Sequence, residues 1–137
     1  MIQHLWGTGM ILLLAGVTSV AAATPDPLAP HRGRHRILVA SAPAPGDATL
    51  ERQRTVFRAM GKGAGERDVV LLEAVGSTPG ARALRAAVGI GESGFSVVLV
   101  GKDGGVKLRS TTVLGSDQLF PLIDAMPMRR KEMSRQR

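Results

Sequence analysis

Four charged residues surround a predicted hairpin turn, and their types suit the recognition of an anionic group. Lys102 and Asp103 precede the glycine pair 104–105, and Lys107 and Arg109 follow it at alternate positions. Ammonium and guanidinium groups donate hydrogen bonds to anionic oxygens, so the pattern predicts a recognition edge. A competing interpretation is that Asp103 serves the turn while the two later cations form the solvated face of a strand.

A second basic group, formed by Arg129, Arg130 and Lys131, lies near the C-terminus. Pro127 is expected to end the last helix, and residues 134–137 are expected to fray as a basic tail. Attraction of this segment to an anionic partner would be mainly Coulombic and would weaken with salt. Because no aromatic side chain stands nearby to stack on bases, we expect no nucleic acid as partner.

Thiol chemistry is excluded, because the chain contains no cysteine. This removes disulfides, thiol nucleophiles and thiolate metal sites together. Ser41, His35 and Asp47 supply the residue types of a nucleophile, a base and an orienting acid, but no nucleophile-elbow sequence surrounds Ser41. His31 and His35 have the spacing of helical metal ligands, yet Gly33 argues against a helix and no third ligand is evident. We therefore assign no catalytic residue, metal or cofactor.

The composition of the chain predicts one domain with an aliphatic core. Its 137 residues include three Phe, one Trp and no Tyr, and its formal net charge is +7. A chain of this length can bury one core of about 100 residues, but not two. The positive charge favours solubility on one interpretation and attraction to an anionic surface on the other.

The N-terminal residues 1–23 are predicted to be a cleaved export signal. The apolar run 10–20 has the length of a signal-peptide core, and the alanines 21–23 supply small residues at a cleavage site. The alternatives are an uncleaved N-terminal anchor, which would be the only means of membrane attachment, and a misassigned start codon. Residues 24–35, rich in proline and arginine, are predicted to be a linker before a domain at 36–133. This organisation predicts a periplasmic or secreted protein.

Hydrophobic periodicity and turn residues predict an α/β domain with the order β-α-β-α-β-β-α. The predicted strands are 37–40, 69–75, 95–100 and 106–110, and the predicted helices are 48–60, 81–88 and 117–126. Asp47, Thr78 and Ser116 are expected to cap these helices. The first two strands should be parallel with a right-handed crossover, and Gly104 or Gly105 should adopt positive φ in the hairpin turn. The order is that of a minimal thioredoxin-like core, with a mixed four-stranded sheet flanked by helices.

Two stretches carry a resemblance to a known family. The segments 95–109, FSVVLVGKDGGVKLR, and 122–130, LIDAMPMRR, resemble the bacterial family called domain of unknown function 4174. That family is similar to a module of extracellular sushi-repeat and equarin-type animal proteins. The resemblance covers roughly residues 36–133. It implies an exported thioredoxin-like domain without an assigned activity, and it supplies no catalytic residue.

Both parts of a thioredoxin-type redox site are absent from the sequence. The turn after the first strand, residues 42–47, contains no cysteine, and the residues 92–94 before the third strand contain no proline. We therefore expect an exported, non-catalytic domain that binds a protein or an anionic envelope polymer. The alternative is a cysteine-independent envelope enzyme with an unidentified polar active site.

Overall fold

The structure is a computed structural model that describes residues 25–137. Its strands are β1 (Arg36–Ala42), β2 (Val69–Val75), β3 (Ser96–Val100) and β4 (Val106–Ser110). Its α-helices are α1 (Ala48–Met60), α2 (Lys62–Glu66), α3 (Pro79–Val88), α4 (Ser116–Asp124) and α5 (Pro127–Arg135). The short helix α2 occupies the glycine-rich stretch where the sequence predicts only the end of α1.

The four strands form one mixed sheet in the order β2-β1-β3-β4. Strands β1 and β2 are parallel, with Arg36 opposite Val69, whereas β3 pairs antiparallel with both β1 and β4. The predicted α/β class, with a mixed four-stranded sheet flanked by helices, is confirmed. The architecture is consistent with a thioredoxin-like α/β fold.

The core lies on both faces of the central strand β1, which is buried along its whole length. Ile37 and Val39 face α3, where they join Leu84 and Val88 in one apolar cluster. Leu38 faces the opposite side and joins a second cluster with residues of α1, α2 and α4. A strand that is covered on both faces needs a continuous apolar run rather than an alternating one, which is what the sequence carries.

Two of the three predicted helix caps are confirmed. The Asp47 carboxylate accepts the backbone N–H of Leu50 at 2.9 Å, and the Thr78 hydroxyl accepts that of Ala81 at 3.2 Å. The cap predicted at Ser116 is wrong, since Gly115 occupies the N-cap and Ser116 is the first residue of α4. The Gln118 side chain instead accepts the N–H of Gly115 at 2.9 Å.

The N-terminal segment differs from the predicted linker within its described residues, 25–35. Leu28 is buried in the apolar cluster on the α3 side of the sheet. Residues Ala29–His31 form a 3-10 helix, and the N–H of Gly33 donates to the carbonyl of Lys102 at 2.7 Å. One buried leucine and this backbone contact hold the segment against the domain, despite its prolines. The predicted export signal, residues 1–23, lies outside the described residues.

The C-terminal segment also differs from the prediction. Pro127 follows the end of α4, but it also occupies the first turn of a further helix, α5, which continues to Arg135 and so into the predicted tail 134–137. Proline is favoured at that position because a first-turn N–H has no intrahelical partner to lose. Among residues 25–137, no helix combines the length and apolar character needed to cross a membrane.

Candidate functional site

The β3–β4 turn confirms the predicted glycine conformation. Gly104 adopts φ +83°, and its N–H donates to the carbonyl of Gly101 at 3.0 Å. The N–H of Gly101 in turn donates to the carbonyl of Gly105 at 2.8 Å. Asp103 serves the turn as well, because its Oδ1 accepts the N–H of Gly105 at 2.9 Å.

A β-bulge immediately after the turn redirects Lys107. Leu99 lies opposite Leu108 and Val100 lies opposite Val106, so that Lys107 is the extra residue of β4. A bulge re-aims side chains and breaks the alternation between the two faces of a strand. The Lys107 side chain consequently packs over Gly101, and its Nζ donates to Asp103 Oδ2 at 2.8 Å. The predicted common face of Lys107 and Arg109 is thus interrupted.

A cavity of about 450 Å³ lies between this turn and the α4–α5 junction, and we call it the hairpin pocket. Its polar side is formed by Arg36, Lys102, Asp103 and Lys107. Its apolar side is formed by Leu122, Ala125, Met126, Pro127 and Met128, and Gly101 completes the lining. The sheet contributes the charges and the helices contribute the hydrocarbon, so the pocket is amphipathic.

Arg36, the first residue of β1, lies at the base of the pocket and is 1% exposed. Its Nη1 donates to the carbonyl of Arg67 at 2.8 Å and to Glu132 Oε2 at 3.2 Å. Its Nη2 donates to Glu132 Oε1 at 3.3 Å. Its Nε has no hydrogen-bond acceptor among residues 25–137. A buried donor without an acceptor lowers the stability of the fold.

Lys102 links the pocket to the same carboxylate. Its Nζ donates to Asp68 Oδ2 at 2.8 Å and to Glu132 Oε1 at 2.6 Å. Burial by itself would raise the pKa of Glu132, but the hydrogen bonds from Lys102 and Arg36 outweigh burial and lower it. Glu132 is therefore ionised at neutral pH and anchors α5 to the sheet.

Arg129 is buried in a second layer of ion pairs behind the pocket. It donates to Asp124 Oδ1 at 3.2 Å and to the carbonyl of Glu66 at 2.9 Å. Arg67 binds both oxygens of Asp124, at 3.0 and 2.8 Å, and its guanidinium stacks on the ring of Phe120. The hydrogen bond from Arg67, supported by that from Arg129, lowers the pKa of Asp124. Arg129, predicted as a surface-binding residue, has a structural position instead.

The remaining predicted cations lie away from the pocket. Arg109 reaches the end of α3, where it donates to the carbonyls of Val88 at 2.7 Å and Gly89 at 3.3 Å. Arg130 and Lys131 are exposed on α5 and do not line the pocket. Of the seven predicted residues, the structure therefore brings Lys102, Asp103 and Lys107 together. It adds Arg36, whose only sequence feature is a charge at the start of an otherwise apolar strand.

The charges around the pocket are balanced, but several donors have no acceptor among residues 25–137. Three cations, at 36, 102 and 107, face three carboxylates, at 68, 103 and 132. Lys102 Nζ uses two of its three hydrogens and Lys107 Nζ uses one. Helix α5 begins at the pocket rim without a side-chain cap. Pro127 has no N–H and the N–H of Met126 donates to Ile123, so the N–H groups of Met128 and Arg129 are those without an intrahelical acceptor. The arrangement can bind an anionic group, and the lining found among residues 25–137 includes no Ser, Thr, His or Cys.

The other sequence-selected groups have local roles. Ser41 Oγ is buried and accepts from Arg85 Nε at 2.7 Å, whereas Asp47 caps α1. The Nδ1 atoms of His31 and His35 lie 3.2 Å apart and share a hydrogen bond. Within residues 25–137 no three metal-ligating side chains come together.

A comparison with models of known protein families shows which family this chain belongs to. The family model described as "Domain of unknown function (DUF4174)" matches residues 27–132. The chain belongs to this family. In this DUF4174 protein the match includes the packed segment around Leu28, all four strands, and the ion pairs up to Glu132. No curated protein matches the sequence significantly.

Proposed function

We propose that this DUF4174 protein is an exported, non-catalytic binding domain, periplasmic or secreted, which holds an anionic group of a protein or envelope polymer in the hairpin pocket. One observation carries the proposal: the unused donors of Lys102 and Lys107 lie beside the uncapped N-terminus of α5 in a single cavity. Helix N-termini and ammonium groups both favour anions.

The export part of the proposal is supported by the sequence of residues 1–23. An apolar core at 10–20 is followed by three alanines, as in secretory signals. Intact-mass spectrometry of exported material should give a chain that begins near Thr24. A species that retains residues 10–20 would contradict cleavage, and the protein would then be anchored.

The non-catalytic part is supported by what lines the pocket. Lys107 pairs with Asp103 in the lining, and Arg36 and Lys102 pair with Glu132 behind it. Hydrogen bonds from Lys107 lower the pKa of Asp103, and those from Lys102 and Arg36 lower the pKa of Glu132 despite its burial. Carboxylates that stay ionised at neutral pH are poor general acids. The pocket is thus equipped for recognition and not for proton transfer.

The binding part is tested by retention of the mature protein on an anionic polymer column, with elution by salt. Lys107→Gln removes a pocket cation whose only side-chain partner among residues 25–137 is the exposed Asp103, so it should leave the fold intact. Arg130→Gln is the matched control, because it removes one exposed charge outside the pocket. We expect Lys107→Gln to elute at lower salt than Arg130→Gln. Equal elution would show that retention reflects only net charge, and the pocket would then have no part in it.

A further inference from the structure

The apolar side of the hairpin pocket indicates that its ligand is more than an anion. Leu122 and Met126 line it, together with Pro127 and Met128 at the start of α5. Met128 is 46% exposed, and the only other exposed large apolar residue among residues 25–137 is Val106, at 36%. Methionine is unbranched and adaptable, and it suits surfaces that receive flexible hydrocarbon. This wall would leave a bare inorganic anion in contact with hydrocarbon on one side.

The polar side limits the charge of the ligand. Because three cations already face three carboxylates, the pocket has little excess positive charge with which to balance a dianion. It offers directional hydrogen-bond donors instead: one free hydrogen on Lys102, two on Lys107, and the backbone N–H groups of Met128 and Arg129 in the first turn of α5. This set fits the two oxygens of a single carboxylate.

The apolar wall also discriminates among carboxylates. An amide group in the ligand would need its own hydrogen-bond partners, and the side chains of this wall supply none, while Pro127 has no N–H. A plain hydrocarbon chain needs no such partners. The cavity volume of about 450 Å³ falls within the range of roughly 300–1,000 Å³ that is typical of small-molecule pockets.

From these observations we infer that the hairpin pocket binds a monocarboxylate carried on an unbranched hydrocarbon chain, as in a medium-chain fatty acid. The carboxylate lies between Lys107, Lys102 and the N-terminus of α5, and the chain lies along Met126 and Met128. The inference rests on the proposed function for its anion site, and it adds a small-molecule ligand to the anionic group of a protein or envelope polymer proposed above.

Isothermal titration of the mature protein with octanoate tests this inference. We expect saturable one-to-one binding, and butanoate should bind more weakly, because each methylene buried strengthens binding about three- to fourfold. The uncharged 1-octanol tests the carboxylate, and octyl phosphate tests the limit to one charge. Both should bind more weakly than octanoate.

Two variants locate the ligand within the pocket. Lys107→Gln should weaken octanoate about five- to tenfold, whereas Lys107→Arg should restore most of the affinity. Met128→Ser should weaken octanoate and leave butanoate nearly unchanged, since the short chain does not reach the methionine. Arg130→Gln is the control and should bind octanoate as the wild type does. Thermal unfolding of each variant confirms that it is folded before it is titrated.

The outcomes separate this inference from the proposed function. If octanoate shows no saturable binding while Lys107→Gln still lowers retention on the anionic polymer, the fatty-acid inference is wrong and the anion-binding function stands. If octyl phosphate binds more tightly than octanoate, the restriction to a monocarboxylate is wrong. If 1-octanol equals octanoate, the cations have no part in binding. Failure of both the titration and the column experiment would overturn both proposals.

Discussion

Replacement of Glu132 by glutamine tests whether the buried ion pairs hold α5 to the sheet. The carboxylate accepts from Lys102 at 2.6 Å and from Arg36 at 3.2 and 3.3 Å, and Arg129 lies 3.6 Å away. The glutamine amide keeps one acceptor oxygen, but it loses the charge and turns an NH₂ group toward groups that are themselves donors.

The size of the effect follows from the burial of the partners. Arg36 is 1% exposed and cannot be rehydrated, so its charge would lose most of its compensation. Breaking a fully buried ion pair costs about 3–5 kcal/mol. The Glu132 side chain is 21% exposed and Lys102 keeps its pair with Asp68, which reduces the cost. We expect a loss of about 2–4 kcal/mol in the free energy of unfolding, or about 8–20 °C in Tm for a domain of this size.

Urea denaturation followed by far-ultraviolet circular dichroism measures this loss. The control is Glu92→Gln, because Glu92 is 59% exposed and lies 3.6 Å from Arg82, itself exposed. That change should stay within about 0.5 kcal/mol of the wild type. If Glu132→Gln is no more destabilised than Glu92→Gln, the ion pairs contribute nothing to stability and the reasoning above is refuted.

The buried ion pairs of Asp124 and Glu132 predict that the fold loses stability in acid. Hydrogen bonds from cations lower the folded-state pKa of Asp124 and Glu132 below the values of an unfolded chain, about 4. The stability that they contribute is thus fully present above the unfolded pKa and is lost as the pH falls through the folded pKa. The free energy of unfolding should decrease from about pH 5 downward, and this decrease should be shallower in Glu132→Gln. Equal slopes would show that Glu132 titrates alike in both states.

Three further substitutions have direct expectations, all measured by urea denaturation. Gly104→Val should cost about 1–3 kcal/mol and more than Gly105→Val, because only the first of these glycines adopts positive φ; equal losses would place the strain elsewhere. Arg129→Gln should cost about 2–4 kcal/mol and the exposed Arg130→Gln less than about 0.5 kcal/mol, and a reversed order would show that Arg129 is not structural. Gln53→Leu should cost about 2–4 kcal/mol, because the buried amide pairs with both backbone groups of residue 114; a neutral result would mean that these groups find other partners.

The fold was predictable where short-range patterns determine it. The apolar runs of β1 and β3 could be satisfied only by strands covered on both faces, and the Lys-Asp-Gly-Gly sequence between β3 and β4 could close only a tight turn. Asp47 and Thr78 marked helix starts because a cap acts within three residues. The parallel pairing of β1 with β2 followed from the helical connection between them.

Most of the site depended on contacts that are distant in sequence. Arg36 and Glu132 are separated by 96 residues, and no local pattern indicates that a basic residue before an apolar strand will meet an acid in the last helix. The bulge at Lys107 was also missed, since a regular alternation through Leu108 to Ser110 reads as an unbroken strand. Pro127 was interpreted as a stop, although the same residue type is equally suited to begin a helix.

The carboxyl ends of β1 and β2 are closed by a buried arginine, which is why we expect the ligand site at the other end of these strands, beside Arg36. In open α/β sheets, ligands commonly bind beyond the carboxyl ends of the parallel strands. Here Arg85, 2% exposed, occupies that end and donates to the carbonyls of Ala42, Ala74 and Gly76 and to the hydroxyl of Ser41. Each of its three nitrogens is engaged by protein acceptors, so the guanidinium closes the ends of β1 and β2 instead of receiving a ligand. Free donors gather instead at the amino ends of these strands, where the hairpin turn and the start of α5 enclose the pocket.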